Sequence, residues 1–175
     1  PSTTHILPVV IGENAPREYI TLITPAAIAL LQLLIARLTR KLPPMAAMTT
    51  GIFIGALSML LMGALPSLAG ACGSFFVFAI AEMVFSPRYY EHVSSFAPKG
   101  REGLYMGLGL IPFGVGGIAG GILSGNLIAK YLPKGGPLHP LSVWGTYAAI
   151  GVACAVAMGL FGFVTRARGA ARKAE

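Results

Sequence analysis

The chain has 175 residues, of which 55% are hydrophobic and 11% charged, with a formal net charge of +7. A soluble globular domain is about 25% charged, so this composition, with a mean hydropathy of +0.73, excludes an ordinary soluble fold. The positive charge does not point to nucleic acid either, because the basic residues sit in the gaps between apolar runs and are not interleaved with aromatics on one face.

Residues 1–18 read as an external segment or as the tail of a preceding helix. The apolar patch Ile6–Ile11 is too short to cross a bilayer, which takes roughly 20 apolar residues of helix. A start at Pro1, with no Met and no signal-peptide pattern, leads to the expectation that the chain is a piece of a longer protein. Five apolar segments then follow as expected spans: Tyr19–Leu38, Pro44–Leu65, Ala69–Ser86 with its helix able to run on past Pro87, Gly103–Ala129, and Val143–Thr165. Residues 166–175 form a basic tail. The expected fold is an all-α membrane protein of five transmembrane helices, one unit over residues 1–175, with no soluble domain.

Orientation follows from the basic residues. Arg37, Arg40 and Lys41 follow the first span; Arg88, Lys99 and Arg101 follow the third; Arg166, Arg168, Arg172 and Lys173 follow the fifth. Only Arg17, Lys130 and Lys134 fall on the other side, a ratio of ten to three. Basic loops stay in the cytoplasm, so the N-terminus is expected outside and the C-terminus inside, in a multi-pass protein of the cell (inner) membrane.

The fourth span is rich in glycine. Gly117, Gly121 and Gly125 recur every four residues and form a flat stripe that a second helix can approach closely. Gly51, Gly55 and Ser58 in the second span make a weaker version. Pro112 is expected to kink the fourth helix, because it lacks an N–H and its ring crowds the preceding turn. Trp144 and Tyr147, at the start of the fifth span, have the character of interfacial anchors. Cys72 and Cys154 lie far apart in separate apolar runs and have no metal or redox spacing. No nucleophile–base pair, metal cluster or phosphate loop is present, so neither an enzyme nor a cofactor is expected.

Glu82 is the only acid inside a long apolar run, Ala79–Ser86. A carboxylate at bilayer depth costs about 2–4 kcal/mol on insertion scales and marks a functional site by default. Low dielectric disfavours the charged form of such a group and a basic partner restores it. A carboxylate in this setting can therefore bind a proton, a cationic group, or each in turn. Ser86, four residues on, shares its helical face.

The segment Glu82-Met83-Val84-Phe85-Ser86-Pro87 resembles the E-x-x-x-S-P pattern in the tenth helix of proton-dependent oligopeptide transporters, within the major facilitator superfamily. Ala97-Pro98 and Tyr105-Met106-Gly107-Leu108 resemble the stretch that leads into the eleventh helix of that family. Thr24-Pro25 resembles an Asn-Pro near the start of the eighth helix, and Arg37-Leu38-Thr39-Arg40-Lys41 is similar to the basic loop after it. The resemblance implies that the five spans are helices eight to twelve of a twelve-helix fold. It also implies a proton-coupled symporter of peptides or other small polar solutes, working with an N-terminal six-helix half. It would put Glu82 at the central cavity against a substrate amino group, with Ser86 and Thr24 beside it. Two positions depart from the pattern: Thr24 stands where family members often have Asn, and Gly109 where they commonly have Trp, which removes an aromatic wall. A different class of function, a non-transporting helix bundle that serves as an assembly partner, is compatible with the glycine faces.

Overall fold

The computed structural model describes residues 22–133 and 137–171, with side chains described up to residue 165. These residues form five helices: α1 (Ile23–Thr39), α2 (Pro44–Ala64), α3 (Leu68–Ser95), α4 (Glu102–Tyr131) and α5 (Pro140–Ala171). Four of them, α2 to α5, are long and apolar enough to cross a membrane, and α1 is a shorter apolar helix of 17 residues. The start of the first expected span, residues 19–21, lies outside the described residues, as does the expected external segment 1–18. The chain is thus a multi-pass membrane protein by the length and composition of its helices.

Local chemistry sets the helix limits. Pro44 occupies the first turn of α2, where a missing N–H costs nothing. Ser67 caps α3, its hydroxyl accepting from the Gly70 N–H at 3.0 Å. Gly100, at φ 84°, turns the chain between α3 and α4, and the Gly100 N–H donates to the Glu102 carboxylate at 3.1 Å. Helix α3 continues through Pro87 for two further turns. Helix α5 runs past the expected boundary at Thr165 to Ala171, so the first part of the expected tail is helical. Residues 172–175 lie outside the described residues.

Helix α2 sits at the centre, packed along α3 on one side and α5 on the other, and α1 lies on the outside of α3. Small residues make these contacts close. Ala47, Gly51, Ala56 and Ser58 of α2 are buried, as are Ala71, Ser74, Ala79 and Ala81 of α3. A Cβ at Gly51 would lie 2.8 Å from the Phe85 Cβ and 3.0 Å from the Ala81 carbonyl oxygen. The α2–α3 crossing therefore needs glycine at that point. Met83 and Ala79 seal α3 against Ala27 of α1. Leucines on the outer face of α1, Leu30 at 81% and Leu33 at 78%, are exposed, as expected of side chains that face lipid.

Helix α4 is different. It has no buried residue. Gly117, Gly121 and Gly125, expected to pack a neighbouring helix, meet nothing within 4 Å. Among the described residues the close-packed glycines between helices are Gly51 against α3, Gly63 against α5 and Gly151 against α2, and the α4 stripe has no partner. Trp144 and Tyr147, read as interfacial anchors, also join helices. Trp144 packs against the cluster of Met62 and Ala71, while the Tyr147 hydroxyl donates to the Gly120 carbonyl at 3.2 Å.

Candidate functional site

Helix α3 presents one face to the space between α2 and α4. The positions are Phe78, Ala81, Glu82, Phe85 and Ser86, separated by three, one, three and one residues, which is the spacing of a single helical stripe. Opposite them stand Gly51, Ile52 and Gly55 of α2 and Phe113 of α4. Together these residues line an open groove of about 240 Å³. On the α2 side Gly51 lets α3 approach closely, and the wall is formed by Ile52 and the backbone at Gly55.

Glu82 is exposed in this groove, not enclosed as its place in an apolar run suggests. The helices of this chain flank the carboxylate without covering it. Among the described residues it has no hydrogen-bond or ion-pair partner; the ion pair they do contain joins Arg88 to Glu91 at 2.6 Å. Ser86 lies in the same groove, one turn further along α3, and is half-buried. The pairing of Glu82 with Ser86 on one face, expected from their spacing, is what the helix produces.

The other two expected site residues are elsewhere. The Thr24 hydroxyl donates to the Phe75 carbonyl at 3.4 Å and ties the start of α1 to α3. It is not part of the groove lining. The bond to backbone is the usual fate of a membrane-helix threonine hydroxyl. Gly109 lies next to the groove, not in it. Its carbonyl accepts from the Tyr89 hydroxyl at 2.5 Å, and a Cβ there would come 3.1 Å from Val93 Cγ1.

Three aromatic residues were not singled out by the sequence reading. Phe78 and Phe85 flank Glu82 on its own helix face, four residues before it and three after it, so the signal was the α-helical period itself. Phe113 comes from α4 and meets Tyr89 edge-on, ring centres 5.2 Å apart, while Tyr89 stacks on Phe85 at 5.5 Å. Phe113, one turn after Gly109 on α4, thus gives the groove an aromatic wall. Only the α3–α4 packing reveals that.

The groove can take up a positive charge at one point, the carboxylate, beside a single hydroxyl. The rest of its lining side chains are apolar or absent. No group of three or more metal-ligating side chains occurs among the described residues. No family model, no curated relative and no solved structure matches the chain.

Proposed function

We propose that this chain is the C-terminal part of a secondary active transporter of the major facilitator type, coupled to protons and completed by an N-terminal half. The basic connections would face the cytoplasm. Glu82 carries the reading: a carboxylate on a membrane-spanning helix, turned into a groove between three helices and unpartnered among the described residues. Such acids mark ion or solute paths far more often than they serve packing. The open side of the groove and the unpacked face of α4 are where a second set of helices would sit, since alternating access works about a site shared by two halves.

In this scheme the carboxylate takes a proton in one state of the cycle and releases it for a cationic group in another. Glu82→Gln keeps the shape and removes both options. In proteoliposomes holding the full-length protein, an imposed proton gradient should drive accumulation of a solute from a panel of small peptides and amines. Glu82→Gln should abolish that accumulation while leaving the protein monodisperse. Undiminished gradient-driven uptake by the glutamine variant would overturn the proposal.

The bare face of α4 also favours a second reading, a helix-bundle subunit that only assembles with a partner. A stable complex with no gradient-driven uptake of any solute, whatever residue occupies position 82, would select it.

A further inference from the structure

We infer that the groove selects a lipophilic monocation, an amine or onium group on an aromatic or apolar body, over a peptide or another many-donor polar solute. This names the substrate class of the site described above and rests on that reading.

The inference comes from counting what the groove offers against what each ligand needs. Of its lining side chains, only Glu82 and Ser86 are polar, and none is basic. A peptide brings an ammonium, a carboxylate and at least one amide. The ammonium would find Glu82, but the carboxylate would face the same negative charge with no cation in the lining. The amide N–H and C=O would lie against phenylalanine and glycine. Each polar group desolvated without a partner costs about 1–3 kcal/mol, so this wall of the site penalises a peptide.

A lipophilic cation reverses every term. Its single charge meets the single carboxylate. Its apolar body covers Phe78, Phe85, Phe113 and Ile52, and Phe78 and Phe113 are 37% and 51% exposed and so available to it. Aromatic faces next to a carboxylate add cation–π attraction, about 0.5–2 kcal/mol per well-placed ring. On the α2 side the apolar body meets Ile52 and the backbone at Gly55, while Gly51 is taken up by its contact with α3. Phe85 is braced by Tyr89, which in turn touches Phe113, so two of the three rings are held in place before any ligand arrives.

The test uses the full-length protein in lipid nanodiscs with tetraphenylphosphonium as the cationic probe and L-alanyl-L-alanine as the peptide. Saturable tetraphenylphosphonium binding is expected. It should weaken at least about tenfold in Glu82→Gln, as expected for loss of the counter-charge, and persist in Glu82→Asp, which guards against a folding defect. Phe113→Leu, which keeps apolar bulk and removes the ring quadrupole, should weaken it about threefold. The dipeptide should not displace the probe. Displacement by the dipeptide, or probe binding indifferent to Glu82→Gln, overturns the inference. The two claims fail separately. Glu82-dependent uptake of the dipeptide without tetraphenylphosphonium binding removes the substrate class and keeps the transporter. Glu82-dependent probe binding without gradient-driven uptake keeps the class and removes the transporter.

Discussion

The Tyr89 hydroxyl donates to the Gly109 carbonyl at 2.5 Å, and this bond is one of two tyrosine pins that hold α4 against the bundle. The other runs from Tyr147 of α5 to the Gly120 carbonyl at 3.2 Å. Between the pins lies Pro112, which cannot donate to the Leu108 carbonyl one turn back. A helix with no buried residue thus has a tyrosine hydrogen bond on either side of its own weak spot.

Tyr89→Phe removes the first pin and leaves the ring that stacks on Phe85. The expected loss is about 1 kcal/mol, the usual worth of a hydrogen bond, or about 2–4 °C in Tm for a chain of this size. Tyr90→Phe is the control, since the Tyr90 ring only meets Tyr89 edge-on at 5.7 Å. Thermal unfolding of the two variants in one detergent checks this; equal melting temperatures would show that the Tyr89 hydroxyl does not hold α4.

Glycine substitutions should separate packing inside the chain from packing against something else. Gly51→Ala places a methyl 2.8 Å from the Phe85 Cβ, against a crossing that has no slack. Such overpacking costs about 1–3 kcal/mol. Gly117→Ala meets nothing and should be neutral or gain up to about 1 kcal/mol in helix propensity. If a partner helix closes on the α4 stripe, Gly117→Leu will leave this chain's own stability unchanged and lower that of the full-length assembly. Paired melting curves of the two forms read the difference.

The spans were legible because runs of about 20 apolar residues have few other readings, and Glu82 with Ser86 was legible because a spacing of four on a helix is a contact. The same period identifies Phe78 and Phe85, which the lone acid overshadows. What the sequence could not supply was which helix neighbours which. Phe113 enters the groove only because Tyr89 and Gly109 bring α4 alongside α3. Thr24 leaves it because α1 lies on the far side of α3 and finds the Phe75 carbonyl first. The glycines of α4 are more numerous than those of α2, yet Gly51 and Gly63 of α2 make tight contacts and the α4 stripe makes none. A small-residue stripe specifies a surface fit for close approach and carries no information on what approaches it.

Arg88 forms a strap at the basic end of the bundle. Its guanidinium donates to the Thr39 carbonyl at 2.8 Å and to Glu91 at 2.6 Å, so α3 gives a second donor to a carbonyl at the C-terminus of α1 that also accepts from the Leu42 N–H at 3.0 Å. A cation is also favourable at that end of a helix. Arg88→Gln should fray the last turn of α1, visible as faster amide exchange over Arg37–Leu42, at a cost of about 1–2 kcal/mol. Glu91→Gln should do far less, because its side chain is 57% exposed and such pairs are worth about 0–1 kcal/mol. Exchange that is equally fast in both variants would assign the strap to the ion pair instead of the carbonyl.

Orientation can be read with cysteines. The native Cys72 and Cys154 are unpaired, and Cys154 is exposed on α5, so both are first replaced by alanine. Ser95 closes α3 at the basic end, and His139 precedes α5 at the opposite end; both are exposed. The excess of Lys and Arg at the first end predicts that it faces the cytoplasm. In intact cells a membrane-impermeant maleimide should label His139→Cys and spare Ser95→Cys, and inside-out vesicles should invert the pattern. Helix α4 links the two positions, so its crossing is tested by the same pair: labelling of both from one side would deny that it spans the bilayer, and a reversed pattern would turn the bundle over and move Glu82's groove with it.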